Sequence, residues 1–238
     1  MTLEERIWRR FQQALATYRL IDDGDRILIG LSGGKDSLLL TELLARRQRI
    51  HRPQFSVEAI HVRMENVSYA ASTDYLQNFC DSHDVPLHIA QTRFDAPAEG
   101  QHAKPACFLC SWMRRKTLFN EAQRLGCNKI ALGHHQDDII HTTLMNLFFQ
   151  SHFSPMPVRL TMRKMPISII RPLCLEHEDD IRLFSESKGY EKLLKTCPYE
   201  HASNRTTVRR LFDQMEKLSP EVRHSFWSAL EREGRLLQ

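Results

Sequence analysis

Residues 27–40 constrain this chain more than any other stretch. Ile27, Leu28 and Ile29 lead into Gly30. A polar turn of Ser32, Gly33, Gly34, Lys35, Asp36 and Ser37 follows, and Leu38, Leu39 and Leu40 open a second apolar run. That order reads as a buried strand, a glycine turn and a helix start. Glycine permits backbone angles and close approaches that a Cβ forbids. The N–H groups of the turn and the helix N-terminus then face one point, which suits a phosphate, and Lys35 adds a mobile positive charge. The turn is not a Walker A loop, because Ile29 stands where the first glycine of GxxxxGK[ST] belongs and Asp36 follows the lysine. It is not GxGxxG either.

The rest of the chain predicts an α/β fold. Residues 55–62, 85–90 and 129–132 read as strands, and 73–83 (capped by Ser72 or Thr73), 104–125 and 137–149 as helices. Alternation of this kind gives a central parallel sheet flanked by helices, with the ligand beyond the carboxyl ends of the strands. Gly33 and Gly34, His61, and Gly133 and His134 all fall at or just after strand ends, aimed at one crevice. Residues 2–20 form an amphipathic helix through Leu3, Ile7, Phe11, Leu15 and Tyr18, packing onto the domain or onto a second subunit, so a homodimer is compatible. The arginines at 46–49 read as a solvated helix end. Further on, 158–171 reads as a basic loop with a last strand at 167–170, 178–188 as a helix, 190–198 as irregular, and 204–218 and 220–230 as closing helices. Pro220 would sit in the first turn of the last one. No repeat or composition shift divides the chain. The expectation is one domain over 1–238, with an N-terminal helix (about 2–20) and a C-terminal helical segment (about 204–238).

The 238 residues suffice for a full core. No apolar run approaches a membrane span, and the charged N-terminus lacks the apolar stretch of a secretory signal, so a cytoplasmic chain with no membrane partner is expected. A formal net charge of +4 with twelve histidines is compatible with a nucleic-acid partner. Cysteines at 80, 107, 110, 127, 174 and 197 read as reduced thiols or metal ligands rather than a disulfide framework.

Cys107-Phe108-Leu109-Cys110 is a CxxC at a helix start, where the N-terminus favours thiolate. Taken alone it fits a redox pair, half of a zinc site, or cluster ligands. Cys197 stands by itself in ThrCysProTyr. Cys80, Cys127 and Cys174 read as buried small hydrophobes. The third constellation, Gly133-His134-His135-Gln136-Asp137-Asp138, follows a strand and opens a helix. Its carboxylates are helix caps or Mg²⁺ ligands, and Asp137 is the preferred functional one. His134 and His135 are candidates to touch nucleotide or substrate.

With these pieces the chain resembles the tRNA 2-thiocytidine synthetase branch of the PP-loop ATP pyrophosphatase family. The resemblance is carried by SerGlyGlyLysAspSer (32–37), CysPheLeuCysSerTrpMetArgArg (107–115), LeuGlyHisHisGlnAspAsp (132–138), AsnLeuPhePhe (146–149), MetPro (156–157) and IleArgProLeu (170–173). It implies the PP-loop ATP pyrophosphatase fold and a tRNA sulfurtransferase that adenylates the C2 oxygen of an anticodon-loop cytidine and replaces it with sulfur. It also implies ATP, Mg²⁺ and a [4Fe-4S] cluster, with tRNA and a sulfur donor such as a cysteine desulfurase as partners. By the same resemblance Ser32, Gly33, Gly34, Lys35, Asp36 and Ser37 hold the phosphates, and His61 and Gly133 contact adenosine. Lys35 and Asp137 are catalytic, Asp137 and Asp138 serve Mg²⁺, and Cys107, Cys110 and Cys197 ligate the cluster. The chain departs from the family in offering a single cysteine near 197, and in having His141-Thr142 where Glu-Thr is usual. Two alternatives follow. One is an adenylating enzyme for another tRNA base or a small molecule, using a persulfide or a structural zinc. The other is a non-catalytic nucleotide-binding or sulfur-carrier module. The basic segments 114–116, 159–164 and 205–210 could track RNA phosphates or merely be solvated.

Overall fold

The computed structural model describes residues 1–65, 68–69, 73–94, 106–191, 195–196 and 204–238. Its strands are β1 (Asp25–Gly30), β2 (Phe55–Met64), β3 (Ser68–Tyr69), β4 (Leu87–Thr92), β5 (Lys129–Ala131), β6 (Arg159–Thr161), β7 (Ser168–Ile170) and β8 (Lys195–Thr196). Its helices are α1 (Leu3–Thr17), α2 (Lys35–Gln48), α3 (Asp74–Ser82), α4 (Ala106–Arg124), α5 (Gln136–Gln150), α6 (Glu178–Ser187), α7 (Asn204–Leu218) and α8 (Val222–Arg232).

Six strands form one sheet in the order β4-β2-β1-β5-β7-β6. All neighbours in it are parallel except β6, which runs antiparallel to β7. From β1 the chain builds outward through β2 to β4, then returns to the other side of β1 for β5 and β7. The order therefore reverses between β1 and β5, the position where open α/β sheets leave a crevice. Side chains alternate across a strand, so β1 serves two layers. Ile27 and Ile29 join the larger core, with Leu39, Leu40, Ile139 and Ile181 from α2, α5 and α6. Leu28 joins a second core beneath α4, with Ile60, Ile130 and Ala122, against which Leu118 and Phe119 pack.

A reciprocal cap starts α1: Thr2 Oγ1 accepts from Glu5 N–H at 3.2 Å, and Glu5 Oε2 accepts from Thr2 N–H at 2.8 Å. Its apolar face (Ile7, Phe11, Ala14, Leu15) enters the larger core, and Arg6 and Arg10 each reach Asp180 on α6 at 2.6 Å. Of the two expected roles for this helix, the structure gives packing onto its own chain. The 46–49 end is tied to neighbours as well: Arg46 lies 4.2 Å over the Trp8 ring, and Arg49 meets Asp84 at 2.9 Å.

Several expectations are corrected. The 158–171 segment holds two strands rather than one, because β6 pairs with β7. The 190–198 segment contains β8, which pairs with β3. The strand expected at 85–90 begins at Leu87, since Pro86 has no N–H for the ladder. Thr73 occupies the α3 cap position without a capping hydrogen bond from its side chain. Pro220 lies in the turn before α8. No helix among the described residues is long and apolar enough to cross a membrane.

Candidate active site

The turn after β1 is held from within. Gly33 takes φ +82°, a left-handed conformation that a side chain would strain. Ser37 Oγ accepts from Ser32 N–H at 3.2 Å and donates to the Gly34 carbonyl at 2.9 Å, while Gly34 N–H donates to Ser32 Oγ at 3.3 Å. The two serines thus hold the backbone in a tight curl at the start of α2. Lys35 Nζ sits 2.9 Å from Asp36 Oδ1 and 3.6 Å from Glu178 Oε1, so two carboxylates neutralise the lysine.

Across the switch point, the turn after β5 touches this loop backbone to backbone. A Cβ at Gly133 would lie 3.0 Å from the Asp36 carbonyl carbon and 3.1 Å from Ser37 N, so a side chain here would have to push that backbone back by a few tenths of an ångström. Next comes His134, whose Nδ1 accepts from Arg171 Nε at 3.3 Å. Burial, with Arg171 beside it, lowers its pKa to about 4. It is therefore a neutral imidazole with the proton on Nε2. Burial opposes charge on His135 too, but Asp137, Asp138 and Asp36 outweigh it and raise its pKa. Its Nε2 lies 3.4 Å from Asp138 Oδ2 and 3.9 Å from Asp36 Oδ1.

The two adjacent aspartates face different ways. Asp137 turns to the later helices: Oδ1 meets Arg223 Nη2 at 2.7 Å, and Oδ2 accepts from Glu178 N–H at 2.9 Å. Burial alone would push this carboxyl up. The His135 ring, the Arg223 guanidinium and the Glu178 N–H outweigh burial and hold it well below the usual range. Asp138 takes other partners, with Oδ2 3.4 Å from His135 Nε2 and Oδ1 3.6 Å from Arg205 of α7. Arg209, one turn after Arg205 on α7, meets Glu178 at 3.1 Å. Glu178, Arg171, Arg205, Arg209 and Arg223 were not singled out as site residues by sequence reasoning. Arg171 had a signal in its ArgProLeu context, and Arg205 and Arg209 in the basic 205–210 run. Glu178 read only as a helix start, and Arg223 had no signal.

A cavity of about 340 Å³ opens beside the loop. Gly30, Ser32, His61 and His134 line one side, and Ser111, Arg114, Arg115 and Leu118 of α4 the other. His61 is buried, with Nδ1 2.8 Å from the Leu31 carbonyl, and so packs where the loop leaves β1. Cys107 and Cys110 stand one turn before Ser111 and Arg114, at the start of the helix that walls this cavity. Cys107 is exposed, Cys110 half-buried. Cys197 lies outside the described residues. The other three cysteines are unsuited to ligation: burial pushes the Cys80 thiol up to about 12 and raises those of Cys127 and Cys174. A soft thiolate donor set therefore fits Cys107 and Cys110.

A glycine loop on the first strand of a mostly parallel sheet, facing a GlyHisHis turn across the switch point, defines a nucleotide-binding α/β domain of the PP-loop class. The PP-loop domain family matches residues 3–214. A tRNA-cytidine(32) 2-sulfurtransferase from Shewanella oneidensis is 33% identical over 232 residues, covering 96% of this chain and 74% of the relative. One from Bordetella avium is 34% identical over 236 residues, covering 97% and 73%. Among solved structures, the U34-tRNA thiolase NcsA from Methanococcus maripaludis, with its [4Fe-4S] cluster, superposes with a TM-score of 0.76 at 25% identity, covering 97% of this chain and 78% of that one. The chain belongs to the PP-loop family, in the branch of the tRNA-cytidine(32) 2-sulfurtransferases.

Proposed function

We propose that the chain is an ATP-dependent tRNA sulfurtransferase. It adenylates the C2 oxygen of an anticodon-loop cytidine and then replaces that oxygen with sulfur. The observation that carries this reading is that one cavity is walled by the phosphate-type loop, the GlyHisHis turn and the CxxC helix. An amide-like oxygen leaves poorly until it carries AMP, and release of pyrophosphate drives that activation.

Each residue group then has a task. The turn from Ser32 to Ser37 receives the β- and γ-phosphates at the α2 N-terminus through N–H groups such as those of Gly33 and Asp36, while the bonds of Ser32, Gly34 and Ser37 hold its shape. Lys35 leaves Glu178 for the phosphates and offsets charge as the bond to the α-phosphorus breaks. His61 and Gly133 shape the adenosine side. His134 Nε2–H is a neutral donor for nucleotide or base. Asp36 and Asp138, which flank His135 Nε2, are the carboxylates that would hold Mg²⁺. Asp137 acts as the positioning member of the pair, because Arg223 and the Glu178 N–H already engage both its oxygens. Cys107, Cys110 and Cys197 would hold a [4Fe-4S] cluster, which when bound supplies a site for the incoming sulfur. The reading implies a sulfur donor and a cytoplasmic setting shared with tRNA.

The test is twofold. Nucleoside mass spectrometry of tRNA from cells with and without the gene should lose 2-thiocytidine with the gene; if no thiolated base disappears, the tRNA assignment is wrong. Protein purified anaerobically should be brown, with absorption lost in Cys107→Ser. A colourless protein holding zinc and no iron overturns the cluster.

A further inference from the structure

The first turns of α4, which bear the thiols, carry a second feature. Leu109, Cys110 and Met113 turn inward onto Met64 and Phe94. On the outer face, Phe108 and Trp112 stand one turn apart, each 48% exposed. Residues four apart on a helix are neighbours, so the rings form one stripe. It continues into cations: Lys116 Nζ lies 5.4 Å from the Trp112 ring centroid, and Arg115 is exposed next to it. Within α4 no carboxylate interrupts the stripe, since the first acidic residue of the helix is Glu121. Ser111 and Arg115, on the same face, also line the nucleotide cavity. The stripe is thus the lip of the site where the base must arrive.

We propose that Phe108 and Trp112, with Arg115 and Lys116, form a stacking platform for unpaired bases of the RNA substrate beside the nucleotide that enters the cavity. The inference rests on the sulfurtransferase reading and adds how its substrate is gripped. Flat exposed rings flanked by cations match a single strand, whose bases present π-faces and whose backbone is anionic. A duplex hides those faces.

Trp112 is its own probe. Trp227 is buried and Trp8 is half-buried under Arg46, so Trp112 is the most exposed of the three tryptophans. An anticodon stem-loop RNA should quench its emission, and an RNA duplex without a loop should not. Trp112→Phe should keep the affinity and lose the quenching. Trp112→Ala should weaken stem-loop binding by about five- to a hundredfold, the range for losing one stacked base. Lys116→Gln should lower the salt dependence by about 0.7 in log-log slope. ATP binding, measured by calorimetry, should be unchanged in all three.

If wild-type protein binds no RNA, the sulfurtransferase reading fails. If wild type binds but Trp112→Ala binds equally well, or the duplex competes as well as the stem-loop, the platform fails while that reading stands. Loss of ATP binding in Trp112→Ala would make Trp112 a wall of the cavity. A change in sedimentation alone would make it a contact between copies. Either result overturns the proposal.

Discussion

Arg223→Gln tests whether the Gly133–Asp138 motif is held in place by a helix more than eighty residues downstream. Arg223 reaches Asp137 at 2.7 Å and Glu216 at 2.6 Å, and the Arg223 and Asp137 side chains are only 15% and 11% exposed. Removing one member of a buried pair leaves an uncompensated charge, at a cost of about 3–5 kcal/mol. At about 2–4 °C per kcal/mol for a domain of this size, Tm at pH 7 should fall by ~6–20 °C. The pH dependence identifies the cause. In wild type the Asp137 carboxyl is held below its unfolded value. Its contribution is therefore complete above the ordinary carboxylate range and is lost only as pH falls through the depressed folded value. Without Arg223, burial is less opposed and the carboxyl titrates at higher pH. The deficit should shrink as pH is lowered from 7 toward 4. Asp137→Asn combined with Arg223→Gln should recover part of the loss, with a coupling of at least about 1 kcal/mol in the four-variant cycle. The assay is thermal or urea unfolding of all four proteins at both pH values. A deficit that ignores pH, or a coupling below about 0.5 kcal/mol, refutes the reasoning.

Two further outcomes follow from buried groups and close contacts. Gly133→Ala should leave a folded protein whose ATP affinity falls by about tenfold or more, because the new Cβ must push the Asp36–Ser37 backbone that shapes the loop; calorimetry with ATP checks it, and unchanged binding would show that the two turns can separate freely. Glu176 is fully buried with neither oxygen hydrogen-bonded, and burial, opposed by Arg10, raises its pKa to about 8. The folded chain holds this proton longer than the unfolded chain, so stability falls as pH rises from about 4.5 to about 8. Glu176→Gln should stabilise by about 1–3 kcal/mol at pH 8, within the roughly 5 kcal/mol that the full shift would give, and by almost nothing at pH 4.5.

What the sequence revealed about the site was local. The Ser32–Ser37 turn, Gly133 and the CxxC are short runs whose geometry follows from their own residues. What it hid came from helices docking at long range. Arg205, Arg209 and Arg223 are drawn from a chain with 33 lysines and arginines, and nothing in their neighbours says which carboxylate each will meet. Asp137 and Asp138 show the limit most plainly. They are identical and adjacent, yet successive helix positions differ by about 100°, so one meets Arg223 of α8 and the other Arg205 of α7. In the fold, long alternating stretches such as β2 were readable, whereas the three-residue β6 is a strand only because β7 offers it a partner.

The position of α4 follows from topology. It joins β4, at one end of the sheet, to β5, beyond β1, so it must pass over β2 and β1 on the way. Its inner side chains meet Leu28, Ile60 and Ile130 of three different strands. The address of the thiols is therefore written in the strand order, not in the connection that precedes the helix.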